Sequence, residues 1–295
     1  MMNIQSIKDR ADQLLFYSKP QLIRIFTIMM LINLVLTFFG SFNGFLFSIY
    51  YIIMILFLPI DHGYVVSSLK VVMNNSQSLD DNDALVGFKR FKELFSTYLL
   101  TFLVTFGITV IGILLLGLFI GLIFGNALVN ISPAVLSSPA ALVLFLEANP
   151  SILASIVLFL CIILVIIYIV SLYLFATPYL LEQYGLTNGR AISESVHFIK
   201  GHALDLFKLD ISFIGWMILV GIVDGLASEL LSFLPVLGVI ISTVLSELAA
   251  IYFYLPKYQL SRAILFEEIA YQKYNVQTET YQDNSEYVEN DGDVY

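Results

Sequence analysis

Charge is what this sequence has least of. Charged residues make up 13% of its 295 positions, against roughly a quarter in a soluble domain. Together with 59% hydrophobic residues and a mean hydropathy of +0.87, that deficit argues against a soluble enzyme and for an integral membrane protein. Cysteine is nearly absent: Cys161 stands alone in an apolar run, so an intrachain disulfide is excluded. Histidine occurs three times, at 62, 197 and 202. His197 and His202 lie five apart, about 140° around a helix, whereas a helical metal pair is spaced by four. Glu194 and His197 share a face that Asp61-His62 could join from another loop; the plainer reading is polar residues in the headgroup zone. Serine-nucleophile motifs, phosphate-binding glycine loops and dinucleotide fingerprints are also missing. The expectation is a non-enzymatic chain with no cofactor, no metal and no nucleic-acid partner.

Long apolar runs are what the sequence has in quantity. Crossing the hydrocarbon core takes about 20 apolar residues in a helix. Six runs qualify: 22–39, 42–60, 98–124, 152–177, 211–231 and 236–255. The first is preceded by Lys8, Arg10, Lys19 and Arg24, but small cleavage-site residues do not follow, so it reads as a retained helix. With six spans, all 14 lysines and arginines fall before the first, between the second and third, between the fourth and fifth, or after the sixth. Basic residues collect in cytoplasmic loops, so both termini are expected in the cytoplasm. The segment 126–146 holds Pro133 and Pro139, and its cleanest apolar piece, 140–146, is too short to cross. It reads as an outer loop on or dipping into the interface. The net charge of −9 comes mostly from a polar tail, where Glu279, Asp283, Glu286, Glu289, Asp291 and Asp293 stand with no base. That tail, 275–295, is expected to be disordered, after one membrane domain over 1–274.

The spans group into three hairpins, 22–60, 98–177 and 211–255, each closing on proline at its inner end: Pro59, Pro178 and Pro256. Each opens after a polar-apolar segment, 4–17, 84–95 and 190–207. In the second, Leu85, Phe88, Phe91 and Phe95 recur at helical spacing; in the third, Ile192, Ser195, Phe198 and Ile199 do so up to a break at Gly201. These predict amphipathic helices along the cytoplasmic membrane surface and an internal repeat of surface helix plus hairpin. The expected fold is therefore all-α.

The block "AISESVHFIKGH…LF.LDISFIGW", from Ala191 to Trp216, resembles the domain-of-unknown-function 975 family of bacterial integral membrane proteins. Gly63, Gly87-Phe88 and "FEEI" at Phe266 to Ile269 extend the likeness. The resemblance implies a bacterial cell-membrane protein with several spans, and it supplies no activity and no catalytic residue. Trp216 and Pro256 stand farther apart than in the family's pattern, and Asp224, Glu229 and Glu247 lie in that longer stretch.

Charges inside a bilayer cost about 2.5–3.5 kcal/mol each on insertion scales, so they have a task or a partner. Glu247 falls near the middle of the last run, on one helical face with Thr243, Ala250 and Tyr254. Asp224 reaches a similar depth across the hairpin. The four polar residues Asp224, Glu247, Thr243 and Tyr254 form a candidate proton or cation site, or a polar cavity; the alternative is protonated acids bonded to Ser228 and Ser246. Lys89, Arg90, Lys92, Lys200 and Lys208 are placed to meet lipid head groups. Gly117, Gly121, Gly125, Gly221 and Gly225 recur at four-residue spacing, which favours helix packing within the chain or in a homo-oligomer. Three functions stay open: handling lipids or apolar small molecules or shaping the bilayer; supporting another membrane protein or an envelope stress response; and intramembrane catalysis.

Overall fold

The computed structural model describes residues 2–41, 45–73, 78–129 and 138–286. Every regular element among them is helical. The chain divides into two compact units, one of Met1–Leu99 with Tyr173–Tyr295, the other Leu100–Leu172.

In the larger unit, α1 (Ile4–Gly40) is a single helix of 37 residues. It starts where the Asn3 side chain accepts from the backbone N–H groups of Gln5 (3.0 Å) and Ser6 (3.4 Å), which would otherwise lack partners. The expected surface helix over 4–17 is therefore fused to the first apolar run. Pro20 sits inside α1. It offers no N–H to the carbonyl of Phe16, a residue that is exposed. The buried stripe of Ile7, Ala11, Ser18, Leu22, Phe26 and Met30 continues past the proline on the same side.

Each inner proline breaks a helix, because it cannot donate to the carbonyl four residues back. Before Pro59, α2 (Phe45–Leu56) ends and a turn leads to α3 (His62–Val72). A 3-10 turn, Asp81–Leu85, and α4 (Val86–Lys89) follow, and after a break at Arg90 comes α5 (Phe91–Val129). The expected surface helix over 84–95 is thus a short turn plus the beginning of α5. Further on are α6 (Pro139–Ala148), α7 (Pro150–Leu174) and, beginning beside Pro178, α8 (Thr177–Tyr184). Next come α9 (Asn188–Ile199) and α10 (Ala203–Ile211), separated at Gly201, whose φ of 91° suits a residue without a side chain. The chain continues through α11 (Ile214–Leu230) and α12 (Pro235–Phe253) and ends in α13 (Leu255–Glu286). Helical backbone thus continues past residue 275, into the stretch read from sequence as a disordered tail.

Among the described residues, four helices are long and apolar enough to cross a membrane: Ile4–Gly40, Phe91–Gly125, Pro150–Tyr184 and Val236–Phe253. A fifth is obtained if Ala203–Ile211 and Ile214–Leu230, bent by 47°, count as one. The remaining expected run, 42–60, contributes α2, whose 12 residues span about 18 Å at 1.5 Å each; residues 42–44 lie outside the described residues. The ten-residue α6 is likewise too short to cross. Residues 130–137 and 287–295, within the expected outer loop and tail, also lie outside the described residues.

The core of the larger unit forms where α1 and α13 pack together and α3, α8, α9 and α10 close around them. Phe266 lies between Tyr179 and Phe198, with ring centroids 4.9 and 4.8 Å away, both stacked. Each such buried aromatic contributes on the order of 2 kcal/mol. Ion pairs flank the seam: Arg10 with Glu267 at 2.7 Å and Lys257 with Asp12 at 2.6 Å. The smaller unit is different. Phe119 meets Phe159 at 5.2 Å and Gly112 backs onto Ile163, but Leu114, Leu122, Leu158 and Leu164 all point outward. Outward leucine is what a helix surrounded by lipid presents.

Candidate functional site

Two adjacent residues, Asp61 and His62, gather most of the polar chemistry in the larger unit. They stand where the turn after Pro59 enters α3. Glycine makes this turn possible. A Cβ on Gly87 of α4 would lie 2.4 Å from the Pro59 carbonyl oxygen and 2.6 Å from the Ile60 Cα. Gly63 is similarly crowded by the Asp83 carbonyl and the Met29 sulfur, at 2.8 and 2.9 Å. Neither position has room for a side chain, so the two glycines of the family resemblance are close-approach glycines.

His62 is fully buried. Its Nδ1 lies 2.9 Å from the Tyr98 hydroxyl and its Nε2 lies 2.9 Å from Glu182 Oε2. An ionised carboxylate only accepts, so Nε2 carries the proton and Nδ1 accepts from the phenol. Arg90 then donates to the same Glu182 oxygen at 2.5 Å and forks onto Glu93 at 2.6 and 3.0 Å. Hydrogen bonding to Glu93 first, and to Glu182, holds the guanidinium well above its ordinary range. Side-chain exposure rises along this chain from 0% at His62 through 23% at Glu182 and 33% at Arg90 to 47% at Glu93, so it runs from interior to surface.

Asp61 belongs to a second group. The Asn33 side chain of α1 acts on it, and its charge acts on Glu247 of α12, on Tyr64 and on Tyr98. Glu247 in turn acts on Tyr64 and Tyr254. Asp61 itself is exposed.

The expected site residues are thus placed as follows. Glu247 and Tyr254 share one neighbourhood, and the acid whose charge acts on Glu247 is Asp61. Asp224 is half-buried on α11; one turn on, Ser228 of α11 donates to Ser242 of α12 at 3.0 Å. Thr243 donates to the Val239 carbonyl of its own helix at 2.9 Å. Among the basic residues expected to meet lipid head groups, Arg90 donates to two carboxylates and Lys89 reaches Asn82 at 2.5 Å. Lys92, Lys200 and Lys208 are exposed. A Cβ at Gly117, Gly121, Gly125, Gly221 or Gly225 would meet nothing of this chain within 4 Å; the close approaches within the chain belong to Gly40, Gly63, Gly87, Gly112 and Gly238. The remaining histidines go separate ways. His197 Nδ1 meets the Ser193 carbonyl at 2.8 Å, and His202 meets Asp205 at 3.3 Å.

The second block of the resemblance has a packing reason. In α9, Ser195 accepts from the Ala176 N–H at 3.1 Å and donates to the Tyr173 carbonyl at 2.8 Å, stitching the break that Pro178 leaves between α7 and α8. Phe198, one turn on, stacks on Phe266 of the "FEEI" segment. The family model described as "Protein of unknown function (DUF975)" matches residues 1–271. The chain belongs to this family. No curated protein and no solved structure matches it. The DUF975 match includes the crowded glycines, the Asp61-His62 pair and the Ser195–Phe198–Phe266 packing.

Sequence reasoning missed Asn33, Tyr64, Tyr98 and Glu182 as members of a site, and offered Asp61-His62 only beside Glu194 and His197, whereas His62 bonds Glu182. A signal was present: Asp61-His62 follows Pro59 by two residues, and Glu182 follows Pro178 by four. Charged residues just beyond a helix-breaking proline sit where two span ends converge.

Proposed function

We propose that this is a non-enzymatic integral protein of the bacterial cytoplasmic membrane that binds amphiphilic cations, either small apolar amines or amine-bearing lipids. Its six spans form three hairpins, with both termini in the cytoplasm, as the distribution of all 14 basic residues favours. The observation that carries the ligand class is the Asp61–Glu247 pair: two acids within each other's field, with an amide and two phenols in the same electrostatic neighbourhood. Two acids that interact favour either a shared proton or a bound cation. Tyrosine faces add cation–π attraction, and the apolar outer faces of the neighbouring helices suit an alkyl or aryl body.

The test is equilibrium binding of a dansyl-tagged alkylamine to purified protein in nanodiscs, with an alkyl sulfate of equal chain length as control. Saturable binding of the amine is expected, at least tenfold weaker in the Asp61→Asn/Glu247→Gln double variant. Equal binding of amine and sulfate, or a double variant that binds as tightly as wild type, overturns the reading. Single-cysteine labelling from each side of the membrane, in a Cys161→Ala background, tests the six-span topology separately.

A further inference from the structure

The "FEEI" segment of α13 carries one residue that packing does not explain. Phe266 and Ile269 are buried, and Glu267 Oε2 accepts from Arg10 Nη2 at 2.7 Å. Glu268 is half-buried, yet among the described residues its carboxylate has no hydrogen-bond partner. It lines a cleft of about 340 Å³ at the α1–α13 seam, together with Arg10, Glu267, Tyr271 and Gln272. The four α13 residues meet there because spacings of three and four put them on one helical face. Arg10 uses Nη2 on Glu267, which leaves Nε and Nη1 as further donors. Tyr271 is 70% exposed and makes no ring contact among the described residues. The cleft thus joins an unpaired acceptor, the free edge of a guanidinium and an aromatic ring.

We propose that this cleft binds a small water-soluble zwitterion with an aryl body, of the class of an aromatic α-amino acid. The ammonium pairs with Glu268, the carboxylate takes the free edge of Arg10, and the aryl group packs on Tyr271. A simple cation would leave the Arg10 donors unused and set its charge near the guanidinium. A simple anion would meet Glu267 and Glu268. A ligand with both charges satisfies both walls. Burial makes the charged form of Glu268 costly and Arg10 offsets only part of that, so an incoming ammonium supplies a countercharge that the folded chain lacks. Ligand clefts run from about 300 to 1,000 Å³, and this one, at the small end, suits a metabolite better than a peptide segment. Arg10 and Leu22, where the first apolar run begins, lie on the one helix α1, about 18 Å apart along its axis. The headgroup zone is only about 5–8 Å thick, so the depth favours a dissolved ligand over a lipid head group. The cleft shares no residue with the Asp61–Glu247 pair and holds whether or not amines bind there.

The experiment is calorimetric titration of L-phenylalanine into the protein in phosphatidylglycerol nanodiscs. N-acetylphenylalanine, which keeps the carboxylate and the ring but loses the ammonium, is the control. Saturable binding of phenylalanine is expected, with the control at least tenfold weaker. Glu268→Gln keeps the size of the side chain and should weaken phenylalanine at least tenfold. Arg10→Lys keeps a cation for Glu267 but not the guanidinium fork, and should weaken it at least threefold. Tyr271→Ala removes an exposed ring outside the packed seam, so it decides even if the other two variants fail to fold; a loss of at least threefold is expected. The inference is overturned if wild type shows no saturable binding, if the control binds as tightly as phenylalanine, or if the folded variants bind like wild type. Replacing half the phosphatidylglycerol by phosphatidylethanolamine should leave the affinity unchanged, and competition by that lipid would make the occupant a head group and overturn the soluble ligand. The Asp61→Asn/Glu247→Gln variant should bind phenylalanine like wild type. Loss of binding there would place the ligand at the other pair and overturn the cleft, so the two readings fail separately.

Discussion

The larger unit and the hairpin of Leu100–Leu172 both contain helices apolar enough to cross a membrane, but they use their side chains in different ways. In the larger unit α1 buries a stripe against its neighbours, and the stripe is accompanied by ion pairs, a stacked aromatic triplet and the His62 chain. In the hairpin, the apolar window of Phe91–Gly125 has no buried residue. Both patterns satisfy a hydropathy scan. Only the first fixes side chains relative to one another, and a site needs fixed side chains. The difference teaches that in this chain the chemistry lies where the apolar runs end.

The comparison breaks most sharply at Gly87. Valine there would drive its Cβ into the backbone of Pro59 and Ile60, which cannot yield as a flexible side chain would. Gly87→Val is expected to cost about 3 kcal/mol by overpacking, read as a large fall in thermal unfolding temperature in detergent. If the variant melts like wild type, the turn before α3 is not held by this contact.

Glu182→Ala should come next. It takes the acceptor from His62 Nε2 and from Arg90 together. About 2 kcal/mol is expected, because a buried donor loses its partner while the carboxylate it replaces was itself partly exposed. Glu182→Gln, which keeps an acceptor, should lose less than half as much in the same melting assay. Ser195→Ala follows at about 1 kcal/mol, since it leaves the Ala176 N–H without its acceptor at the α7–α8 break.

Much of this architecture was legible beforehand, for physical reasons. Helix breaks at Pro59, Pro178 and Pro256 follow from a missing N–H, and the break at Gly201 follows from a backbone that only glycine adopts easily. The buried face of α9, with Ser195, Phe198 and Ile199, follows from helical spacing. What was not legible is long-range. Glu247 was paired with Asp224 because the two match in depth along one hairpin, but depth carries no information about a third helix. Asp61, brought in by the turn before α3, is the acid whose charge reaches it. The glycine rows carry the same limit: spacing shows that one face of a helix is small, and says nothing of which helix covers it.

A smaller effect is expected from pH at the α1–α13 seam. Burial raises the Glu268 carboxyl above its ordinary range, partly opposed by Arg10 and reinforced by Glu267. The folded protein therefore holds this proton over a window in which the unfolded chain has lost it. Between those two values stability falls as pH rises, because ionising Glu268 is harder in the folded state. Glu268→Gln removes the titration, so its melting temperature should vary less with pH just above the ordinary carboxyl range than that of wild type. Parallel curves for the two proteins would remove Glu268 from the seam's energetics.

The smallest effect is expected in the hairpin. A Cβ at Gly117 or Gly121 meets open space, so Gly117→Ala/Gly121→Ala should change stability by no more than about 0.5 kcal/mol, as substitutions outside packed contacts usually do. The same double variant in nanodiscs should keep the wild-type mass by light scattering. A marked loss of stability would mean that the row is covered in the membrane, and a fall in mass would identify the cover as a second copy of the chain. Either outcome would narrow the difference between the two units, since the hairpin would then have a packed face of its own.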